Sequence, residues 1–562
     1  MAETSVTGAT SPPPHDPRGA ESDQSAQECG HQTCNGIHRV FESLDHPSGP
    51  LAKEVISAFN YPPGSALSMS HNSCPTRGQT TCLGKMELQL EYGDFTAYLF
   101  RTRDVNGYVI ALTKGDITSD ENLLIRTHSE CITSETLCAC DCDCVEQLNG
   151  ALEQISNEGR GVLFYLRQEG RGAGYEAKAM DRMMVIASKD ELGTFDAYNL
   201  MGLPRDARDY SSINDIVYLL GINAGLELMT NNHRKRSGLE EHGLKVAGTR
   251  THSYPANPFN LHYMRTKGEI EAHTFKPEHI KQTDGDGHIY PDNKVHQSYV
   301  LQDALRFIHR ATYWLPIRPP TNERILPAQV MVELGTAQKL LGQTVIESFG
   351  FVEGRTGAVK VKLNESAMSE IRAKDPHNPV DALLARHPYF FNNHVYLDES
   401  TNLVFPVLQH EGDSPARDNV PVVRIHTESI VGRFPLIQNP ERDTFRKSVQ
   451  KIVEKGRGLV LLYPKDGRGN GIGSVFKEAD LIRRGEYASA QEACRKIGTK
   501  FDGRDYTAVA RLIKHHYATA DSTAQVSIDL ILSPLEGQTE RVSLFAALNE
   551  ENISIRKYLE LE

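Results

Sequence analysis

Three things are scarce in this chain, and each scarcity excludes something. Long apolar runs are missing: none approaches the ~20 residues a helix needs to cross a bilayer, so no membrane partner is expected. A basic excess is missing. Lys and Arg number 61 against 73 Asp and Glu, a net charge of −12. No surplus of cations exists to neutralise a run of phosphates, which argues against a general nucleic-acid binder. It leaves room for a local basic pocket around one phosphorylated small molecule. A leader is missing too. The opening MAETSVTGATSPPPHDPRGAESDQSAQECGHQ has no apolar h-region, carries acids and is poor in arginine, unlike secretory or mitochondrial signals. Its Pro, Ser, Gly and acids read as a disordered tail to about Asn35. What remains is an ordinary soluble composition, 39% hydrophobic and 24% charged. Its 562 residues suggest roughly two to four domains. A cytoplasmic location is expected, with the nucleus left open, and both keep thiols reduced.

Against that background one stretch is over-supplied. HSECITSETLCACDCDC, residues 128–144, holds five of the ten cysteines. Reduced compartments give no reason for a disulfide framework, so the cluster needs another. Thiolates bind zinc, and three protein ligands with one open position is the catalytic arrangement. Cys142 and Cys144 form a C-x-C pair, and a loop of ten residues separates them from Cys131. Cys138 and Cys140 lie in the same loop and leave the ligand choice open. A buried or redox-sensitive set of thiols is the plainer alternative, but thiols this dense favour an ion. His128-Ser129-Glu130 has the form of the H-x-E of zinc nucleobase deaminases. That motif needs a later P-C-x-x-C, and only C-x-C steps without proline follow.

The flanks are regular. Val145, Leu148, Leu152 and Ile155 recur at helical spacing before Gly159. GVLFYLR, 161–167, is an apolar run of strand length, suited to burial on both faces. QEGRGAG follows, where glycine lets backbone approach a ligand and Arg171 can fork onto phosphate. By itself such a loop is as readily a plain turn. PRDARDY, 204–210, precedes a helical pattern through Leu220, and Asp206 and Arg208 there fit an N-cap and a surface ion pair equally well. LELMT, 226–230, reads as a strand running into NNHRKR, a polar loop with a basic cluster or the start of a solvated helix.

Taken in order, RTHSEC, C-x-C with EQL, EGRG, YLRQEGR, DARDY and LMTNN with a following lysine resemble the GTP cyclohydrolase II family, from about Glu87 to about His262. The resemblance implies zinc on Cys131, Cys142 and Cys144, with Cys138 and Cys140 outside the ligand set. It implies hydrolytic opening of the imidazole ring of GTP, releasing formate and pyrophosphate. Nucleotide contacts would come from Arg126, Thr127, His128, Ser129, Glu130, Gln147, Glu169, Gly170, Arg171, Thr194, Thr230 and Lys235. Asp206 would be the general base, and Arg208 would face the α-phosphate in the nucleophile's place. Zinc would acidify water toward neutrality and polarise the carbon under attack, while the arginines hold phosphate. The family also suggests Mg2+ at the phosphates and a homodimer.

Three departures bear on the substrate. Asp141 stands before the C-x-C pair, where the family usually has arginine. Aligned on Lys178, Arg182 falls where the family has a catalytic tyrosine, and the stretch 174–194 is a few residues longer than usual. Gly174-Tyr175 replaces the family's G-L. Long, diverged chains of this kind resemble the fungal enzyme of uracil catabolism, whose ring to open would be that of a uracil nucleotide, giving a ureido-ribose. On these departures a uracil nucleotide is favoured, with GTP as the alternative and a non-catalytic nucleotide sensor as the third reading.

The C-terminal half echoes the first. RTHSEC recurs as RIHTES at 424–429, EGRGVLFYLRQEGRG as KGRGLVLLYPKDGRG at 455–469, DARDY as DGRDY at 502–506, and LELMTNN faintly as DLILSPL at 529–535. Ser429 stands where Cys131 would be, no C-x-C follows, and Cys494 is that half's only cysteine, so the same zinc site cannot form there. Arg468, Asp502 and Arg504 are kept. The expected fold is α/β, two related mixed-sheet domains in tandem with the second degenerate. The boundaries are a tail at 1–50, a catalytic domain at 51–285, a linker or helical region at 286–390 with a helix at 330–343, and the repeat at 391–562. A hairpin at 394–409 parallels residues 95–115. If the family's dimer is a guide, the second half imitates a partner subunit within one chain.

Overall fold

The structure, a computed structural model, describes residues 80–264 apart from 105, 189–191, 256–258 and 261–262; residues 306–318; three short strands within 329–362; and residues 389–561 apart from 412, 414–419, 519–524 and 534–537. The tail at 1–50, the segment 51–79 and much of 286–390 lie outside the described residues.

The first domain runs β1 (Thr81–Leu90), β2 (Gly93–Arg101), β3 (Tyr108–Lys114), β4 (Leu123–Ser129), α1 (Ile132–Glu135), α2 (Cys144–Glu158), β5 (Gly161–Leu166), α3 (Tyr175–Ala187), α4 (Thr194–Leu200), α5 (Ser211–Leu219), β6 (Leu226–Met229), α6 (His233–Glu241) and β7 (Val246–Arg250). Its seven strands lie in the order β1-β2-β3-β5-β4-β6-β7. The pairs β1–β2, β2–β3 and β3–β5 are antiparallel, while β5–β4, β4–β6 and β6–β7 are parallel. All six residues of β5 are buried, because a central strand with both faces covered needs a continuous apolar run. On α2 the buried Leu148, Ala151, Leu152 and Ile155 form one helical face, and Gly159 ends the helix at φ 74°.

The second domain repeats this plan. It runs β8 (Phe307–Ile317), β9 (Gln329–Glu333), β10 (Phe349–Phe351), β11 (Ala358–Lys362), β12 (Tyr389–Asp398), β13 (Leu403–His410), β14 (Val422–Thr427), α7 (Pro440–Lys455), β15 (Gly458–Tyr463), α8 (Ile472–Arg483), α9 (Ala490–Ile497), α10 (Tyr506–Tyr517), β16 (Val526–Leu532), α11 (Gln538–Glu550) and β17 (Ile553–Glu560). Read from its first strand, the second seven-stranded sheet is β8-β12-β13-β15-β14-β16-β17. Each strand matches its first-domain counterpart in place and in sense. Two mixed sheets with helices therefore build the chain, and the hairpin expected at 394–409 is β12 and β13.

Two expectations need correction. The region 286–390 is more than a linker, because Phe307–Ile317 is the first strand of the second sheet and pairs along its length with β12. The run expected as a helix at 330–343 begins inside β9, which pairs with β11 in a small three-stranded sheet. Short apolar runs look alike as helix or strand until a partner strand decides, and Val330 and Val332 suit the strand. The rest of that run lies outside the described residues. No helix among the described residues is long and apolar enough to cross a membrane.

The domains share their cores. Tyr175 and Ala179 of α3 pack with Ala311, Tyr313 and Leu315 of β8. Reciprocally, Ile472 and Phe476 of α8 pack with Leu88 and Leu90 of β1.

The second domain also carries a histidine cluster with a stability consequence. Thr312 Oγ1 lies 2.7 Å from His309 Nε2 and 2.8 Å from His394 Nδ1. His516 Nε2 lies 3.1 Å from the Tyr396 hydroxyl, and its Nδ1 lies 3.2 Å from Gln409 Oε1. Burial, then the neighbouring imidazoles, hold His394 down at about 3 and His516 well below the ordinary range. Unfolded histidines titrate near ~6.5, so the unfolded chain takes up protons first as pH falls. Stability is complete above that value and is lost beneath it, by about 1.4 kcal/mol per pH unit for each of these two rings. The melting temperature should fall between pH 7.5 and 5.5, and His394→Gln should flatten that fall. A melting temperature independent of pH over that range would show that the rings are not held neutral.

Candidate active site

The parallel strands β5, β4 and β6 end side by side, and a crevice opens at their carboxyl ends, where ligands bind in open α/β sheets. The cleft encloses about 950 Å3, open water included, within the range of small-molecule sites. The turn after β4 begins at Cys131, and the start of α2 carries Cys144. Between them the chain folds back, so that the sulfurs of Cys131, Cys142 and Cys144 all lie within 4.8 Å of one another. Cys131 Sγ and Cys142 Sγ are 3.6 Å apart. Hydrogen bonding from Cys142 and Cys144 draws the Cys131 thiol well below its usual range, while the same contacts push Cys142 and Cys144 up. Three thiols, two buried and one half-buried, competing for one negative charge are what a thiophilic cation resolves, and the donor set fits zinc. Cys131 and Cys144 face the cleft.

Cys138 and Cys140 stand apart from this set. Cys140 Sγ donates to Pro316 O at 3.5 Å, and burial pushes its thiol up to about 12.

Glu169 ties the metal loop to the glycine loop. Its Oε2 accepts from Ile132 N at 2.6 Å, and its Oε1 accepts from Gly170 N at 3.0 Å and from Lys178 Nζ at 2.9 Å. Burial pushes its carboxyl up to about 7, against the pull of Lys178. The loop itself is more than a plain turn. Gly170 and Arg171 are both left-handed, at φ 57° and 58°, a conformation costly for arginine. A Cβ on Gly172 would lie 2.8 Å from the Ala207 carbonyl. Arg171 O accepts from Ala207 N at 2.9 Å, so the QEGRG and DARDY segments interlock. The second domain repeats the device, with Arg468 at φ 52° and Gly503 N donating to Arg468 O at 2.8 Å.

Most of the expected residues converge. Arg126, His128, Ser129, Glu130, Gln147, Glu169, Gly170, Arg171, Thr194, Arg208, Thr230 and Lys235 all line the cleft. Thr127 does not, because alternate residues of a strand face opposite ways; its carbonyl accepts from Lys235 Nζ at 2.8 Å. Asp206 is outside the lining and grips Arg208 as a fork, accepting from Nε at 2.8 Å and from the terminal nitrogen at 2.5 Å. Both carboxylate oxygens thus accept from Arg208, which fixes the orientation of the pair. Asp206 is also not an N-cap, since α5 starts at Ser211 after Tyr210. NNHRKR is a helix start: Asn232 caps α6 by accepting from Arg234 N at 2.9 Å.

Lys178, Asp181 and Tyr263 line the cleft without having been among the expected site residues, and Arg182, noted only as a departure, joins them. Lys178 Nζ donates to Cys131 Sγ and to Thr133 Oγ1, each at 3.0 Å. Burial works against its charge, but Cys131 and Glu169 outweigh burial and raise it well above the lysine range. Arg182, one turn on, lies 3.6 Å from Asp141 Oδ2 and stacks its guanidinium 4.5 Å from the Tyr263 ring. Asp181, whose carboxyl burial pushes up to about 6, completes that face. Positions 178, 181 and 182 fall at helical spacing on α3, and that spacing was the available signal. Tyr263 carried none.

The chain matches the GTP cyclohydrolase II family over residues 81–251 and 383–519, more than half of its length. It is similar to a protein called "Riboflavin biosynthesis protein RibBA" from Salinispora arenicola, 37% identical over 206 residues, which is 36% of this chain and 48% of the relative. It is similar to proteins called "GTP cyclohydrolase-2" from Saccharophagus degradans (38% over 189 residues, 34% of this chain, 92% of the relative) and Aeromonas hydrophila (39% over 197 residues, 35% and 98%). The chain spans about half of the first relative and nearly all of the other two.

Proposed function

Because the chain belongs to the GTP cyclohydrolase II family, we propose that it is a hydrolase that breaks a carbon–nitrogen bond in the base ring of a nucleotide, with GTP as the first candidate. One observation carries the reading: a buried cluster of three thiols opens into a cleft that also presents Arg126, Arg171, Arg208 and Lys235. Cys131, Cys142 and Cys144 would hold zinc, which supplies a Lewis acid and an acidified water when bound. Lys178 donates to Cys131 Sγ and adds to the pull of Cys142 and Cys144 on that thiol. Arg171 and Arg208 offer forked donors to the phosphates. Asp206 orients Arg208. Gln147 accepts from Arg126 at 2.5 Å, and the pair offers a polar edge to the base. The second domain binds no zinc in this reading, since Ser429 takes the place of Cys131. A cytoplasmic site of action suits a free nucleotide.

The names of the relatives speak for GTP and for riboflavin synthesis, and they move GTP ahead of the uracil nucleotide favoured by the sequence departures. One observation keeps the uracil nucleotide as a second reading. Arg182, paired with Asp141 and stacked on Tyr263, reaches the cleft where a tyrosine was expected. A cationic group there suits a different ring. Zinc-loaded protein incubated separately with GTP, UMP, UTP, uridine and uracil, followed by ring absorbance and product mass, separates the two. Formate released from GTP supports the first. Loss of the pyrimidine chromophore with a ureido product supports the second. Inertness toward all five would favour a nucleotide-binding regulator.

A further inference from the structure

Arg433 lies in the second domain, just after β14, and its side chain is 1% exposed. The chemistry proposed above does not use it, yet its guanidinium reaches into the first domain. One terminal nitrogen donates to Glu130 Oε2 and to the Tyr165 hydroxyl, each at 2.8 Å. Its Nε donates to Thr136 Oγ1 at 3.0 Å and to Glu428 Oε1 at 3.2 Å, and the other terminal nitrogen donates to Glu428 Oε2 at 2.9 Å. The contacts continue to the cleft. The Tyr165 hydroxyl donates to Glu135 Oε2 at 2.5 Å, and Glu135 Oε1 lies 2.7 Å from His128 Nε2. Glu130 and His128 both line the cleft, and Thr136 sits in the loop between the zinc thiols.

The position of Arg433 is informative. His128 and His426 occupy matching places on β4 and β14, beside β5 and β15. Counting forward equally from each reaches Glu135 in the first domain and Arg433 in the second. The same place carries opposite charge. Two first domains docked this way would set Glu130 and Glu135 of each against the other with no such arginine between them, and like charges brought together away from water disfavour each other. The sign change favours the pairing within one chain and works against pairing of two first domains.

The second domain also backs the active-site helix and the ligand loop. The Tyr175 hydroxyl on α3 accepts from Asn393 Nδ2 at 2.7 Å, and Arg310 pairs with Glu176. In the ligand loop, Cys140 N donates to Pro316 O at 3.0 Å, and Arg318 N donates to Cys138 O at 2.9 Å.

We propose that the second domain is the first domain's built-in partner subunit and that Arg433 is the positioning residue through which it sets Glu130 and, by way of Tyr165 and Glu135, His128 at the cleft wall. The homodimer expected of the family is then met within one chain. The proposal rests on the hydrolase reading, so its test carries a readout that does not.

The full chain is compared with Arg433→Lys and Glu428→Gln by kcat and KM, zinc content, melting, and the visible spectrum of the cobalt(II)-loaded protein. Lysine keeps the charge but cannot fork to both domains. In Arg433→Lys, kcat should fall about 10²-fold, the order seen when groups at a reacting centre are misplaced by ~1 Å. KM should stay within about threefold, zinc should be retained, and the cobalt bands should shift. Glu428→Gln loosens the anchor of Arg433 and should move kcat and the spectrum the same way by less; it decides the matter should Arg433→Lys not fold. Unchanged kcat and cobalt bands, or losses that only track the unfolded fraction, would overturn the proposal. Should the wild type open none of the nucleotides, the hydrolase reading fails and the cobalt spectrum alone decides about Arg433.

Discussion

Replacing Cys142 with serine should abolish turnover and zinc binding and leave the two sheets folded. The Cys142 sulfur is one of three sulfurs within 4.8 Å of one another, and a serine hydroxyl does not ionise to replace it as a ligand at neutral pH. Loss of the Lewis acid removes at least about 10³-fold in kcat. The cores run through the sheets, and Cys142 belongs to none of the main apolar clusters, so the melting temperature should move by a few degrees only. Cys140→Ser is the matched control. Its thiol lies outside the cluster and donates to a carbonyl of β8, and a serine there keeps a donor. Zinc per chain and kcat on the same preparations check both. Undiminished turnover in Cys142→Ser would remove the metal from the mechanism.

Arg208→Lys should cost about 10² in kcat/KM, because a lysine ammonium cannot make the fork to Asp206 and still present a second planar edge to a phosphate. Asp206→Asn keeps the shape but weakens the grip, since the charge-assisted bonds at 2.5 and 2.8 Å become neutral-acceptor bonds. If Asp206 orients Arg208, the two single losses overlap and the double variant is little worse than Arg208→Lys alone. If Asp206 is instead an independent general base, the losses multiply. A four-variant cycle in kcat/KM therefore reads the role of Asp206 directly.

Some of this site was legible because its signals are local. All five thiols of residues 131–144 share one short loop, so the sequence marks the loop, and the fold brings Cys131, Cys142 and Cys144 of them together. QEGRG and DARDY each carry their glycine or fork within a few residues. Lys178 was harder to see. A lysine on an apolar helix looks like a solvated residue until α3 is docked against the metal loop and Cys131 becomes its partner. Asp206 was half legible: the ion pair with Arg208 that its spacing suggested is formed, while the N-cap is not, because α5 starts only at Ser211.

The sequence by itself determined that five cysteines share one short loop, that QEGRG and DARDY are glycine- and arginine-bearing turns, and that the chain carries a two-part echo of α/β class, because each depends on spacing over a turn, a strand or a short loop. The tertiary structure alone decided that residues 307–317 open the second sheet, that Arg182 meets Asp141 and Tyr263, and that Arg433 reaches Glu130 across a separation of 303 residues. Such contacts leave no periodic trace in the chain. They exist only where docking the two domains buries charges that must then find each other.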